Sequence, residues 1–367
     1  GLFSHLFRYT ALLRRIIMEE VVDLIKQIAP EIALTIENRY TILRNIYFNQ
    51  PIGRRALSSI LSWSERQLRT EVKRLEEQGL LIIDSKGMEL TGTGEKIIFG
   101  LEHFIYHLRG LNPIAQSIRR GFNCGYVSIV PGNSDEDETI KMQLGKEAAR
   151  YLKKTINNGD IVAVTGGTTM AQIPRAMEKI SGLKDVVVVP GRGGLGERVE
   201  IESNTIAAEL AKKLQAQYKL LYVPDNLSPE TMESIINEPG IREILKIVRR
   251  TSILLHGIGG AEEIGRRRGL SEREIIEINK KGAVAEAFGY YFDSEGEVVH
   301  TATSVGLTIT DLKNIRIVIA IAGGANKAPA IQAFLKYHSP TVFITDEGAA
   351  RKLLELEGGE DNEQKDS

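Results

Sequence analysis

Asp160-Ile161-Val162-Ala163-Val164-Thr165-Gly166-Gly167-Thr168-Thr169 is the stretch on which the reading of the fold turns. Four apolar residues bounded by Gly159-Asp160 read as a buried strand of a parallel sheet. The glycines and threonines after them let the backbone turn sharply and present N–H and hydroxyl groups. A helical segment opens at Met170-Ala171-Gln172-Ile173. Strand, Gly/Thr turn and helix N-terminus together form an anion site, because the first helical N–H groups lack partners and the helix dipole is positive there. Gly166, Gly167, Thr168 and Thr169 are therefore candidate phosphate ligands.

Outward from this turn, strands and helices alternate. Apolar strand segments are expected at Tyr126–Val130, Val186–Val189, Leu220–Val223, Ile253–His256, Ile315–Ala322 and Val342–Thr345. Helical segments lie between them, at Thr139–Ile156, Thr205–Gln215, Ser228–Ile236, Ser271–Lys280, Lys327–Tyr337 and Glu347–Leu356. The alternation predicts a doubly wound, Rossmann-like α/β domain with ligands at the carboxyl ends of its strands. Glu286–His300 reads as a hairpin turned at Asp293–Gly296 and inserted at a strand end.

Three further strand ends are rich in glycine. Pro190-Gly191-Arg192-Gly193-Gly194-Leu195-Gly196 formally matches G-x-G-x-x-G. It follows a late strand, carries an arginine and has no strand-borne acid downstream, so Arg192 suits a phosphate or carboxylate clamp better than a dinucleotide fingerprint. His256-Gly257-Ile258-Gly259-Gly260 leads to Arg266-Arg267-Arg268, and Gly323-Gly324-Ala325-Asn326-Lys327 puts a cation in the first turn of a helix. A cation there opposes the dipole and calls for an anionic partner. Glycine turns and cations gathered at one sheet edge point to a ligand with more than one phosphate. Glu286 suits sugar hydroxyls or, in an isomerase, a general base. The six histidines show no metal spacing, and no nucleophile elbow, Walker lysine or H-E-x-x-H occurs.

The first 92 residues are of another kind. Helical spacing stops at Pro30 and again before Pro51; a short helix follows Pro51-Ile52-Gly53-Arg54-Arg55, and Ser62-Trp63-Ser64 breaks before a longer helix, Glu65–Gln78. Ser64 and Gln67 fit a capping box. Leu80–Asp84 and Met88–Thr91 flank a Ser85-Lys86-Gly87 turn as a wing. This is the order of a winged helix-turn-helix. From Gly53 to Arg74 there are six basic and two acidic residues, a local net of +4. Arg54, Arg55, Arg66, Arg69, Lys73 and Lys86 are the candidate contacts to double-stranded operator DNA. The expected division is a winged-helix domain over 18–92, a linker helix over 93–111, an effector domain over 112–357 and a disordered acidic tail over 358–367.

Bulk properties narrow the context. Among 367 residues, 47 basic against 48 acidic side chains leave no global electrostatic partner, so any nucleic-acid surface is local. One cysteine excludes a disulfide framework and suits a reducing cytoplasm. No apolar run approaches the ~20 residues of a membrane span. Gly1–Ile17 lacks an initiating methionine and is apolar with three arginines. It reads as a degenerate signal, as an amphipathic helix, or as upstream sequence ahead of a true start at Met18; a non-native extension is the expectation.

PIGRR at Pro51–Arg55, TGGTTM at Thr165–Met170, RGGLGE at Arg192–Glu197, HGIG at His256–Gly259, EAFGYYF at Glu286–Phe292, AGG with Lys327, and TDEGAA at Thr345–Ala350 resemble, in order, the motifs of SorC-type repressors of the DeoR-like group. The resemblance runs from about Met18 to Leu356. It implies a repressor of glycolytic genes without a cofactor, acting as a homo-oligomer (dimer or tetramer). Its effector domain would be similar in fold to glucosamine-6-phosphate deaminases and ribose-5-phosphate isomerases. The implied effector is a sugar phosphate, fructose 1,6-bisphosphate. One phosphate would meet Gly166–Thr169 with Lys327, the other Arg192 and Arg267, with Glu286 on the sugar hydroxyls. The alternative is a sugar-phosphate isomerase or deaminase with an accessory N-terminal domain; the winged helix, for which such an enzyme has no use, separates the two.

Overall fold

A computed structural model describes residues 18–194, 199–224 and 227–363. The extension over 1–17 and the last four residues of the acidic tail lie outside them. By its internal contacts the chain divides into residues 1–113 and 114–367. Among the described residues no helix is long and apolar enough to cross a membrane.

The first unit is a helical bundle with a wing. Helix α1 covers 18–28, and Pro30 opens α2 (Pro30–Asn49), where its missing N–H costs nothing. Then come α3 (Arg54–Leu61), α4 (Glu65–Glu77), β1 (Leu81–Ile83), β2 (Met88–Leu90) and α5 (Gly92–Leu108). Ser64 caps α4 by accepting the Gln67 N–H at 3.3 Å; its hydroxyl in turn donates to Gln67 Oε1 at 2.8 Å. The wing pairs Leu81 with Leu90 and Ile83 with Met88, and Asp84 Oδ1 closes its turn by accepting the N–H groups of Lys86 and Gly87. Leu68, Val72 and Leu75 of α4 join Ile42, Leu43, Ile46, Leu57, Leu81 and Met88 in one core. Helix α5, expected as a linker, instead buries Ile98, Ile105 and Leu108 in that core. The expected domain boundary at Asn112-Pro113 lies in the first turn of α6 (Leu111–Gly121), where proline is tolerated, and the division by contacts falls after Pro113.

The second unit is built on a seven-stranded sheet. Its first run is β3 (Tyr126–Val130), α7 (Thr139–Thr155), β4 (Ile161–Val164), α8 (Gln172–Ala176), β5 (Val187–Pro190), α9 (Ser203–Leu214) and β6 (Gln217–Tyr218). Helices α10 (Pro229–Asn237) and α11 (Pro239–Val248) lead to β7 (Ile253–Gly257). A four-stranded antiparallel insertion with two helices follows: β8 (Gly259–Gly260), α12 (Ala261–Arg267), α13 (Glu272–Lys280), β9 (Ala285–Ala287), β10 (Tyr290–Phe292) and β11 (Val298–Thr301). The chain ends with β12 (Ile317–Ile321), α14 (Ala328–Tyr337), β13 (Val342–Asp346) and α15 (Glu347–Glu363). The main sheet is parallel throughout, in the order β3-β13-β12-β7-β4-β5-β6. Alternate strand residues, among them Val162, Val164, Leu255 and Ile319, bury one face beneath α7, α8 and α9.

Three elements depart from the sequence expectation. Leu220–Val223 is not a strand, because the backbone of Leu221 bonds to the Asn204 side-chain amide, donating at 2.9 Å and accepting at 3.1 Å. Leu221 and Val223 are buried all the same, in a satellite core with Leu245. Helix α11, opened by Pro239, is not among the expected segments. Helix α15 runs to Glu363, past residue 358 where the acidic composition predicts disorder; glutamate is a good helix former, and this helix is already nucleated and packed through Ala349, Ala350 and Leu353.

At the amino edge of the sheet Asp160 ties β4 to its neighbours. Its carboxylate receives Arg316 Nη2 at 2.7 and 2.8 Å, the Ser252 hydroxyl at 2.8 Å and the Asn157 N–H at 2.7 Å. Burial by itself would raise the Asp160 pKa, but these hydrogen bonds and the Arg316 charge outweigh it and hold the carboxyl below its ordinary value. A depressed folded pKa stabilises above the unfolded value of about 3.9 and loses that contribution as pH falls through the folded value. Asp160→Asn is therefore expected to lower the urea midpoint at neutral pH, with a deficit that shrinks below pH ~4. A deficit independent of pH would contradict it.

Candidate functional site

The chain leaves β4 toward β5 and β6 but leaves β7 toward β12 and β13, so the strand order reverses between β4 and β7. A crevice beyond the carboxyl ends of the strands opens at such a point. The register pairs Val164 with Leu255, and Thr165 Oγ1 then accepts the Gly257 N–H at 3.2 Å, joining the two strand ends.

The Gly/Thr turn lies there. A Cβ on Gly166 would come within 2.8 Å of the Ile201 carbonyl, and Gly167 sits at φ +138°, so both positions need glycine. The Gly167 N–H is spent on Ile201 O at 2.9 Å. Among the described residues, the N–H groups of Gly166, Thr168 and Thr169 and the hydroxyls of both threonines have no hydrogen-bond partner. Helix α8 has only five residues and contains Pro174, so its dipole is weaker than the sequence suggested. What the turn offers is its own orphan N–H groups, more than a helix dipole.

Arg192 lies on the next strand end and is only 5% exposed. The Gly191 N–H donates to Val164 O at 2.7 Å, and Ser203 Oγ donates to Arg192 O at 3.0 Å, so the segment holding Ile201 also holds the arginine loop. Arg192 Nε donates to Ser304 Oγ at 3.0 Å, and Nη1 is 3.9 Å from Glu286 Oε1. Glu286, on β9, is buried; the same oxygen takes the Gly289 N–H and Arg268 Nη2 at 3.1 Å. The tight turn between β9 and β10 has Phe288 at φ +34° and Gly289 at φ +93°. A Cβ on Gly289 would stand 1.6 Å from Arg192 Nη1, so the guanidinium occupies the space that only glycine leaves. Leu195, Gly196 and Glu197 of the RGGLGE motif, and with them the G-x-G-x-x-G match, lie outside the described residues.

The remaining cations are placed differently. Of the three arginines at the end of α12, Arg266 bonds Glu262 and Glu272, Arg267 is exposed, and Arg268 is the one brought against Glu286. Lys327 ends the turn Ala325–Lys327, with Nζ 3.9 Å from Glu263 Oε2. The loop before it is pinned by two acids that sequence reasoning missed. Asp346, wholly buried, accepts the N–H groups of Ser134 and Gly324 at 2.8 Å each, and Asp135 accepts that of Asn326 at 2.8 Å. An aspartate directly after an apolar strand was the available signal for Asp346, and the three-arginine run was the signal for Arg268; Ser304 carried none. His256 is buried between the rings of Phe288 and Phe334, and burial pushes its pKa down to about 4. It is a neutral packing residue.

In the first unit Arg54, Arg55, Arg66, Arg69, Lys73 and Lys86 are all exposed. Arg55 lies 3.7 Å from Glu65 and Lys73 lies 3.8 Å from Glu77, whereas Arg54, Arg66, Arg69 and Lys86 have no ion-pair partner among the described residues. Beside α4 a cleft of about 570 Å³ is lined by Thr35, Asn38, Trp63, Arg66, Gln67 and Thr70 among others.

A basic helix-turn-helix with a wing, and a Rossmann-like domain with orphan N–H and hydroxyl donors at its switch point, define the class of ligand-responsive transcriptional regulators. The CggR N-terminal DNA binding domain family matches residues 35–105, and the sugar-binding domain family Sugar-bind matches residues 106–355. The central glycolytic genes regulator of Bacillus subtilis is 41% identical over 337 residues, covering 92% of this chain and 99% of its own. The crystal structure of a SorC family transcriptional regulator from Enterococcus faecalis has a TM-score of 0.63 and 38% identity, over 66% of this chain and 100% of that one. The full-length sorbitol operon regulator SorC from Klebsiella pneumoniae, at 19% identity, shares the fold with a TM-score of 0.61 over 87% of this chain and 98% of its own. The chain belongs to the central glycolytic genes regulator family of SorC-type transcriptional regulators.

Replacing a side chain that meets a DNA phosphate removes about one unit from the salt-dependence slope. Arg69→Ala is expected to weaken operator binding and flatten its slope by roughly that amount. Gel-shift affinities equal to wild type at several salt concentrations would rule out α4 as the reader.

Proposed function

We propose that the chain represses glycolytic genes by binding operator DNA through α4 and the wing, and that a phosphorylated sugar, fructose 1,6-bisphosphate, controls it from the second unit. The observation that carries this reading is the set of orphan N–H and hydroxyl groups of Gly166–Thr169 at the β4/β7 switch point, with buried Arg192 on the neighbouring strand end. A phosphate accepts several N–H bonds at once, and a guanidinium pairs with a second phosphate in a fork. One phosphate sits on the turn, with Lys327 as its counter-ion. The other meets Arg192, with Arg267 reaching in from the end of α12. All three contacts of Glu286 fall on Oε1, which leaves Oε2 for sugar hydroxyls.

The same arrangement argues for sensing over turnover. Glu286 gathers Arg192, Arg268 and the Gly289 N–H on Oε1, a fixed scaffold that suits holding a ligand. The buried His256 has its Nδ1 3.0 Å from Gly257 O and offers no acid in its place. The protein works without a cofactor, in the cytoplasm, as a dimer or tetramer. Effector binding alters subunit association and so lowers operator affinity through a coupling of ~1–3 kcal/mol.

Thr168→Ala with Thr169→Ala is expected to weaken calorimetric binding of fructose 1,6-bisphosphate while operator binding without effector stays intact; an unchanged affinity would remove the phosphate from this turn. Arg267→Ala should weaken the same binding more than the Arg268→Ala exchange does, and the reverse order would transfer the second phosphate to Arg268. Incubation with sugar phosphates should leave their NMR spectra unchanged, and any isomerisation or deamination would make the chain an enzyme.

A further inference from the structure

We propose that Ser304 is the positioning residue that aims the Arg192 guanidinium at its anion; this rests on the sugar-phosphate reading of the site. An arginine side chain has four rotatable bonds, and its fork discriminates between anions only when its plane is held. Arg192 is held from three sides. Ser304 Oγ accepts Nε–H at 3.0 Å and so sets the rotation of the guanidinium plane. Gly289 leaves the slot in which that plane lies, since a Cβ would stand 1.6 Å from Nη1. Glu286 Oε1 draws Nη1 from 3.9 Å.

Ser304 is itself fixed to the loop it acts on. Arg192 and Gly306 form an antiparallel bridge, the Gly193 N–H donates to Val305 O at 2.8 Å, and the Leu307 N–H donates to Gly191 O at 2.8 Å. Gly306 takes φ +152°, and a Cβ there would lie 2.4 Å from Gly191 O, so the two backbones are in close contact. Hydroxyl and arginine are thus carried by one short strand pair. A bond to Nε engages the one guanidinium N–H that faces the side-chain stem, and a forked contact with phosphate is made by the terminal nitrogens.

The test is titration calorimetry on the full chain with fructose 1,6-bisphosphate as probe. Ser304→Ala should weaken binding by roughly tenfold or more, the effect of removing a hydrogen bond to a charged group. Ser304→Thr, which keeps the hydroxyl, should bind as wild type. Ser304→Cys, close in size but a poor acceptor, should match the alanine variant. In an Arg192→Lys background, which has no Nε–H, Ser304→Ala should cost nothing more. The proposal is overturned if the alanine variant binds as wild type. It is equally overturned if its loss is the same in both backgrounds with a lowered unfolding midpoint, the mark of a purely structural role. If wild type itself binds neither this probe nor fructose 6-phosphate, the sugar-phosphate reading fails, and Ser304 falls with it.

Discussion

Everything in the second unit depends on the register of β4 against β7. Parallel pairing of Val164 with Leu255 brings two strand ends level, and the chain then departs from them in opposite directions. Two loops diverging from adjacent strands cannot fill the space between them, so the fold leaves a crevice there. Thr165 secures the mouth through the Gly257 N–H, and the glycines after it let the backbone pass Ile201 without collision. A shift of one residue would turn every side chain of the strand to the other face and remove both features.

The buried charges are a second constraint. Arg192 and Glu286 lie almost wholly inside the protein, and Arg268 joins them at 3.1 Å. Desolvating such groups is expensive, and removing one partner of a buried pair commonly costs about 3–5 kcal/mol. Hydrophobic residues of the same volume would give a domain at least as stable. Two arginines meeting one carboxylate are thus kept inside at a cost that a neutral core would not incur.

Much of the fold was legible because its signals are local. Four apolar residues and a Gly-Gly-Thr-Thr turn describe β4 and its exit whatever surrounds them, and the winged helix follows from the Ser64 cap, the α4 stripe and the wing turn. Where the reading failed, a distant partner decided the outcome. Leu221 bonds to Asn204 instead of a strand, and α5 buries a face in a core whose other half lies before it in the chain. The site divides along the same line. The threonine turn can be read as a cradle from its own residues, but the meeting of Arg192 with Glu286, Arg268 and Ser304 exists only after the antiparallel insertion has folded back over β5. No spacing encodes that. Three successive arginines at 266–268 show the limit most clearly, since neighbours in sequence point to carboxylates on different elements.

The slot beneath Arg192 has a consequence for divergence. Glycine at 289 and arginine at 192 share one volume, and the φ of +93° at 289 favours glycine on its own account. The coupling between these remote positions therefore runs one way. A descendant with a short residue at 192 would vacate the slot and still keep glycine in the turn. One that gained a side chain at 289 would strain the turn and displace the guanidinium together.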